Sequence, residues 1–302
     1  MHIPDGFLST PVWAAFDAIS LVTIGYISKQ ARRAVDEPRV PLLGVMGAFV
    51  FAAQMINFPV GLGTTGHLLG GTLLAITVGP VSATLVLSVI LAIQALVFQD
   101  GGLLAWGANV FNMALCGVWV GYLPYHFWGR GRLRSTAIFL GGLLSVVIGA
   151  VLALLMLKAS GVPITASIFV VQLGLFLVAG VLEGVITFTV STSIERLNPG
   201  WLQEPSANLV SIKKLILGAA VALVLAGILF ASTLPDVLER VAEKAGIAQQ
   251  SFNLYQTPLK DYELSFAASS YLRKATAGLV GIGLVYAGCL LVSRFLTRRR
   301  SS

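Results

Sequence analysis

Uninterrupted apolar runs constrain this chain more than any other sequence feature. Two examples are "VPLLGVMGAFVFAAQMINFPVGLG" at residues 40–63 and "LILGAAVALVLAGILFAS" at residues 215–232. As helices that rise about 1.5 Å per residue, such runs cross about 30 Å of hydrocarbon. Because 56% of the residues are hydrophobic and 11% are charged, too few ionisable groups remain to cover a soluble domain of this length. The sequence therefore predicts an all-α, polytopic membrane protein.

Nine apolar segments are predicted to span the membrane. They lie near residues 11–28, 40–58, 64–79, 81–98, 103–124, 135–157, 166–190, 213–233 and 275–296. With the N-terminus outside and the C-terminus inside, most of the 20 lysines and arginines fall in inner segments, as the positive-inside rule requires. If residues 64–98 formed one helix kinked at Pro80, these basic residues would divide evenly between the two sides. The net charge of +7 thus indicates topology, and we expect no nucleic-acid partner.

The stretch "MHIPDGFLST" places His2, one of 3 histidines, ahead of every apolar run. No Lys or Arg precedes the first run, so we expect no signal peptide and a retained Met1. The sequence Pro4-Asp5-Gly6 favours a turn, which would fold the terminus back among the helices. In the predicted topology, His67 and Asp100 lie at the same outer surface as His2.

A histidine at position two places three nitrogens in one chelating arc: the α-amine of Met1, the amide of His2 and its Nδ1. The imidazole of His67 would complete four nitrogens in a plane. This coordination suits Ni²⁺ or Cu²⁺, whereas Zn²⁺ prefers a tetrahedron; Co²⁺ also accepts nitrogen ligands. A plainer interpretation stays open from these residues alone. In it His2 is solvated and His67 is hydrogen-bonded at a helix start, because isolated histidines are usually not ligands.

Uncharged amides and one carboxylate near these histidines are candidates for holding metal ligands in place. They are Asn57, Gln94, Asp100, Asn109 and Asn112. The amides could equally join helices through hydrogen bonds, and both interpretations stay open.

Three further polar residues receive separate predictions. His126 lies among aromatic and basic residues and is predicted to anchor its helix at the inner boundary. Asp17 and Glu183 are ionisable groups inside apolar runs, which suggests a functional role. For Glu183, a structural or subunit-contact role is favoured over metal binding.

Five motifs carry a resemblance to a known family. They are "MHIPDGFLS", "AAQMINFPV", "GTTGHLLGG", "QDGGLLAWGANVFNMA" and "LEGVITF". Together they resemble the substrate-binding membrane component of nickel/cobalt energy-coupling-factor transporters, the CbiM/NikM family. The resemblance implies a seven-span metal-binding module at residues 1–197, with the metal bound by the Met1 amine, His2 and His67.

Residues 198–302, here called the accessory segment, are predicted to contain a linker and two spans. An extracytoplasmic loop is expected at about residues 234–273. The segment resembles the small accessory subunit of the same transporters, which is marked by a Pro-Asp-Gly-Leu-Glu motif. Val237 stands where that motif has Gly, so a turn that needs positive φ there is in doubt. Because the nickel branch more often carries this piece, nickel is favoured over cobalt.

The chain contains no G-x-x-x-x-G-K-[ST] phosphate loop, so it is not expected to power uptake alone. The resemblance implies a transmembrane coupling component and two cytoplasmic ATPase subunits as partners, in the cytoplasmic membrane of a prokaryote. Ni²⁺ or Co²⁺ would be bound as transported substrate, with no prosthetic group. One alternative is an ion-coupled secondary transporter that uses Asp17 and Glu183. An intramembrane metalloenzyme is disfavoured, because no H-E-x-x-H motif occurs and no carboxylate adjoins a histidine.

The terminal chelate predicts that one extra residue before Met1 removes most bound metal, because the α-amine then leaves the chelate ring. Metal content by mass spectrometry of protein with the native terminus, beside the extended protein, checks this. Equal metal in both samples would refute the ligand set.

Overall fold

The computed structural model describes residues 1–34, 40–199, 201, 209–232, 234–264 and 269–298. Helices dominate this part of the chain, and the prediction of an all-α membrane bundle is confirmed. The helices are α1 (Thr10–Ala34), α2 (Val40–Gln54), α3 (Gly71–Val78), α4 (Pro80–Ile93), α5 (Trp106–Asn109), α6 (Val118–Trp128), α7 (Arg134–Ala159), α8 (Ala166–Leu197), α9 (Leu209–Phe230), α10 (Val237–Ala245) and α11 (Ser270–Arg298).

Two π-helical stretches and one hairpin interrupt this regular pattern. The π-helical turns Gln94–Phe98 continue α4, and Val110–Gly117 join α5 to α6. Strands β1 (Phe58–Gly61) and β2 (Thr64–Gly66) pair antiparallel between α2 and α3.

Within the described residues, 6 helices are long and apolar enough to cross a membrane. They are Thr10–Arg32, Pro80–Phe98, Arg134–Ala159, Ala166–Leu197, Ile212–Phe230 and Ser270–Leu296. The other three predicted segments hold helices that are shorter or interrupted by π-helical turns. The count of nine spans and the orientation of the termini therefore stay predictions.

Residues 64–79 do not form the continuous helix that their hydropathy predicted. Thr64–Gly66 are a strand, and α3 has only 8 residues, which reach about 12 Å. Immediately before this strand, Gly61, Leu62 and Gly63 all have positive φ, which lies outside the region of a right-handed α-helix. His67 consequently lies in an irregular segment between β2 and α3.

A break at Gly79 separates α3 from α4. Gly79 has φ 84° and ψ 150°, outside the helical region, and Pro80 is the first residue of α4. Proline is well suited to that position because its missing N–H would have no intrahelical partner there. Residues 71–93 are therefore two helices packed on each other, and a single helix kinked at Pro80 is excluded.

The accessory segment packs on the rest of the chain through α2, which α9 and α11 both contact. Between those two helices lie α10 and the short 3₁₀ turns Ala248–Gln250 and Lys260–Tyr262. Val237 is the first residue of α10 and is buried, and its φ is not positive. The valine in place of glycine is therefore accommodated without strain. Residues 202–208 of the predicted linker lie outside the described residues, and the division at residue 197 stays a prediction.

The predicted turn at Pro4-Asp5-Gly6 is confirmed, since the chain bends there and Gly6 has φ 94°. A Cβ atom added to Gly6 would lie 1.9 Å from the carbonyl oxygen of Gln250 in the accessory segment. This turn thus lies directly against the accessory segment.

Replacing Gly6 with Ala is expected to lower the thermal unfolding midpoint, because a positive φ costs a side chain roughly 1–2 kcal/mol before any clash is counted. Thermal unfolding of the purified full chain in detergent measures the change. Gly25→Ala in α1 is the matched control, since nothing lies within 4 Å of its added Cβ. An unchanged midpoint for Gly6→Ala would contradict the described packing.

Candidate metal centre

The side chain of Asp5 fixes the N-terminal lead on the bundle. Its carboxylate accepts N–H bonds from Leu103 at 2.9 Å, Leu104 at 2.8 Å and Ala105 at 3.1 Å, immediately before α5. A carboxylate at a helix start satisfies N–H groups that have no intrahelical partner and lies at the positive end of the helix dipole. Asp5 is buried, so this attachment is shielded from water.

The backbone of Ile3 is held on both sides. Its N–H donates to Oδ1 of Asn109 at 2.8 Å, and its carbonyl accepts from Nδ2 of Asn109 at 3.0 Å. The N–H of Gly102 donates to the same carbonyl at 2.8 Å. Asn109 immediately precedes the π-helical turns Val110–Gly117. One buried amide therefore aligns the residue that follows His2.

The α-amino group of Met1 lies between two side chains. It is 2.8 Å from Nε2 of His67 and 2.8 Å from Oδ2 of Asp236. The side chain of Met1 is also buried, and a Cβ added to Gly149 would come within 2.7 Å of its Cε. The first residue is thus packed inside the protein, and its amine faces an imidazole nitrogen.

His67 presents the lone pair of Nε2 to that amine. Its Nδ1 is 3.0 Å from the carbonyl oxygen of Leu68, which can only accept, so Nδ1 carries the proton. Burial and, next, the positive charge of the α-amino group lower the pKa of His67 to about 3. A neutral ring with one nitrogen bonded to a backbone carbonyl is the arrangement that metal-binding histidines adopt.

Glu183, from α8, holds the segment that carries His67. Its Oε2 accepts the N–H of Leu69 at 2.7 Å and its Oε1 accepts the N–H of Gly70 at 2.8 Å. These are the residues before the first turn of α3, and Glu183 is completely buried. Its carboxylate therefore has a structural role, which agrees with the preference expected from the sequence.

The ring of His2 stacks on that of His67, with centroids 5.1 Å apart and planes 9° from parallel. Nδ1 of His2 is 3.1 Å from Oδ1 of Asp100, and Nε2 is 3.2 Å from Oε1 of Gln94. Gln94 in turn donates to Oε1 of Gln54 at 2.8 Å. His2 is buried, so the interpretation of His2 as a solvated terminal residue is wrong.

Asp100 connects His2 to the accessory segment. Its Oδ2 accepts the hydroxyl of Tyr262 at 2.6 Å. Burial raises the pKa of Asp100, but the His2 ring, the His67 ring and the Tyr262 hydroxyl together lower that pKa below its ordinary value. An ionised carboxylate therefore lies beside the two stacked imidazoles.

The remaining candidates lie at different distances from this centre. Asn57 lines the same cavity as His2 and His67, and its carbonyl accepts the N–H of Ser232. Asn112 lies deeper, where its Nδ2 is 3.5 Å from Sδ of Met156.

Asp17 and His126, for which the sequence predicted other roles, form their contacts away from the two stacked histidines. Asp17 accepts the N–H of Gly107 at 2.7 Å. His126 contacts the rings of Tyr122 and Phe127 in α6. Neither residue has a described contact with His2 or His67.

A cavity of about 260 Å³ opens beside the two histidines. Its lining includes Asp100, Asp236, Glu239, Asp261 and Tyr262. Across the described residues, no group of three or more His, Cys, Asp or Glu side chains is arranged to hold a metal ion. The predicted ligand set needs only two such side chains, because its other donors are the α-amine and a backbone amide.

Sequence reasoning missed Asp236 and Tyr262 at this centre. Asp236 belongs to the "PDVLE" stretch that carries the accessory resemblance. The motif can be recognised in the sequence, but no neighbouring residue indicates that Asp236 contacts Met1. Burial raises the pKa of Asp236, but the adjacent α-amino group, the N–H of Glu239 and the His67 ring together lower that pKa below its ordinary value. Tyr262 lies in a loop with positive φ at its own position and at Asp261, a conformation that only the fold reveals.

Comparison with known families accounts for nearly the whole chain. The family model for CbiM, the cobalt uptake substrate-specific transmembrane region, matches residues 2–201. The chain belongs to the CbiM family. A PDGLE domain matches residues 212–298, within the accessory segment, and confirms the second resemblance.

Similar proteins are transporters, and none of these names denotes an enzyme. The fused nickel transport protein NikMN of Rhodobacter capsulatus is 32% identical over 346 residues, covering 99% of both chains. A chain named NikMN from Archaeoglobus fulgidus is 33% identical and covers 98% of this chain and 99% of its own. The cobalt transport protein CbiM of Acetoanaerobium sticklandii is 38% identical over 49% of this CbiM-family chain and 62% of its own.

A crystal structure of a truncated transition metal transporter matches the fold. It has a TM-score of 0.58 and 33% identity, and the match covers 65% of this chain and 99% of that one. The expectation of a multi-pass membrane transport protein, and not an enzyme, is confirmed by these comparisons.

Replacing Glu183 with Leu is expected to destabilise the protein, because two buried N–H groups would lose their acceptors at roughly 1–3 kcal/mol each. Glu183→Gln, which keeps one acceptor oxygen, should lie between Glu183→Leu and the unaltered chain. Thermal unfolding in detergent measures both. The control is Glu263→Gln, whose carboxylate forms a peripheral ion pair with Lys274 at 3.7 Å. Equal midpoints for Glu183→Leu and the control would contradict the structural role.

Proposed function

We propose that this protein captures Ni²⁺, or Co²⁺, as the substrate-binding component of an energy-coupling-factor transporter. The observation that carries the proposal is the distance of 2.8 Å between the Met1 amine and Nε2 of His67, beside the stacked ring of His2. Both nitrogens can donate an electron pair to a transition-metal ion once the amine has lost its proton.

The spacing of these nitrogens fits a planar site. Bonds of about 2.0 Å from a metal to nitrogen place adjacent ligands of a square about 2.8 Å apart. The amine, the amide and Nδ1 of His2 would occupy three corners and Nε2 of His67 the fourth. Four nitrogens in a plane favour Ni²⁺ over Zn²⁺. For Nδ1 to bind, its contact with Asp100 must be replaced, and that carboxylate is then left beside the cation.

Five further residues would hold the ligands. Gln94 and Asp100 contact the His2 ring, and Asn109 holds the adjoining backbone at Ile3. Asn57 would act from the cavity wall, and Asn112 from the deeper packing around Met1. Such supporting contacts set the orientation of a ligand and tune its basicity.

The proposal places the chain in the cytoplasmic membrane of a prokaryote, with a separate coupling membrane protein and two cytoplasmic ATPase subunits as partners. The absence of a phosphate-binding loop from the sequence supports the need for separate ATPases. Nickel is proposed over cobalt because a relative that matches over almost its entire length is named a nickel transport protein. At a nitrogen site, Ni²⁺ also binds more tightly than Co²⁺.

An ion-coupled mechanism that uses the intramembrane carboxylates receives less support. Both oxygens of Glu183 accept backbone N–H bonds, and Asp17 accepts one from Gly107. A carboxylate that binds and releases a coupling ion would have to break these contacts in each cycle.

His67→Ala is expected to weaken Ni²⁺ binding by at least about 100-fold, the upper end of what losing a supporting group alone costs. Isothermal titration of the purified full chain with NiCl₂ and CoCl₂ measures this, and Ni²⁺ should bind the unaltered chain more tightly. His126→Ala is the matched control, because its ring packs on aromatic residues elsewhere and its loss should leave affinity unchanged. Unchanged binding by His67→Ala would refute the proposed site.

A further inference from the structure

The strand before His67 is paired with the accessory segment. The N–H of Thr65 donates to the carbonyl of Pro235 at 2.9 Å, and Thr65 and Asp236 form a parallel β-bridge. The hydroxyl of Thr65 also donates to the carbonyl of Leu234 at 3.1 Å. The backbone that carries Asp236 therefore has a fixed position relative to the backbone that carries His67.

Each carboxylate oxygen of Asp236 accepts a hydrogen bond from a different group. Oδ1 accepts the N–H of Glu239 at 2.8 Å and caps α10. Glu239 returns the contact, because its Oε2 accepts the N–H of Asp236 at 2.8 Å. This reciprocal capping fixes the side chain of Asp236. Its second oxygen, Oδ2, is then directed at the Met1 amine.

The contact with Asp236 adds a restraint on the direction of the Met1 amine. His67 is a neutral partner, so by itself it offers one hydrogen-bond acceptor and no opposite charge. Rotation about the Cα–C bond of Met1 would turn the amine away from Nε2 of His67. A carboxylate at 2.8 Å on its other side opposes that rotation through a charge-assisted hydrogen bond.

We propose that Asp236 is a positioning residue of the metal centre, which makes the accessory segment a part of that centre. Asp236 holds the Met1 amine in the direction that faces His67. This inference rests on the proposed function, in which that amine binds the metal ion.

Tyr262 supports the same conclusion from a second loop. Its hydroxyl donates to Oδ2 of Asp100, whose Oδ1 is 3.1 Å from Nδ1 of His2. Each of the first two residues is thus held, directly or through one side chain, by a residue of the accessory segment. The two contacts come from opposite ends of the loop between α9 and α11.

The first experiment requires no metal. An amine-acylating reagent is applied at neutral pH to the metal-stripped full chain, and mass spectrometry of the N-terminal peptide measures the acylation rate of the Met1 amine. Asp236→Ser keeps a residue that caps α10 well but is too short to reach Met1. It should raise this rate severalfold. Asp236→Asn caps equally well and keeps a neutral acceptor, so its rate should lie between those of Asp236→Ser and the unaltered chain.

Glu239→Gln is the matched control. It removes a charge of the same sign from the same cavity, while glutamine preserves the reciprocal capping at that position. It should leave the acylation rate unchanged. Equal rates for Asp236→Ser and the unaltered chain, or an equal increase in Glu239→Gln, would overturn the positioning role.

Titration with NiCl₂ then separates this inference from the proposed function. Asp236→Ser should weaken Ni²⁺ binding by about 10-fold or more, the cost typical of losing a group that orients a ligand. In a chain extended by one residue before Met1, the same substitution should add little to the loss, because Asp236 acts through the α-amine. If the unaltered chain binds no Ni²⁺, the proposed function fails. If it binds and Asp236→Ser binds equally well, only this inference fails.

Discussion

The charge of the Met1 α-amino group is the constraint on which the organisation of the site depends. A charged group inside a protein is costly unless it is paired and hydrogen-bonded. The amine meets this requirement with His67 on one side and Asp236 on the other. Because those residues lie 66 and 235 positions away in the chain, the contact joins three distant segments at a single nitrogen atom.

Further hydrogen bonds hold the N-terminal residues in that position. Asp5 attaches the lead to the start of α5, and Asn109 aligns the backbone at Ile3. Gln94 begins one stretch of π-helical turns and Asn109 immediately precedes the other, and such turns are frequent at functional sites. The proposed ligands thus lie on irregular backbone, and apolar helices surround them.

Two side chains of the accessory segment contact the candidate metal centre. Asp236 and Tyr262 reach Met1 and Asp100 from a loop between α9 and α11, which are themselves packed on α2. Since this segment is tethered to the rest of the chain, its contacts form at a high effective concentration. A separate subunit with the same contacts would first have to bind. The PDGLE motif therefore has a physical role in this chain: its aspartate caps α10 and also pairs with the terminal amine.

The sequence alone determined the helical membrane fold, the turn at Pro4-Asp5-Gly6 and the family, and it named Met1, His2 and His67 as the proposed nitrogen donors. Those features depend on hydropathy, local backbone preference and motifs, all of which involve residues that are close together in the sequence. The hairpin before His67 was mistaken for helix, because its glycines and threonines lie within an apolar run whose hydropathy resembles that of a span. Only the tertiary structure decided that Asp236 pairs with the amine, that Tyr262 reaches Asp100 and that Glu183 holds the His67 segment. These contacts join residues more than 100 positions apart, and no local pattern specifies which buried donor meets which acceptor until the helices have packed.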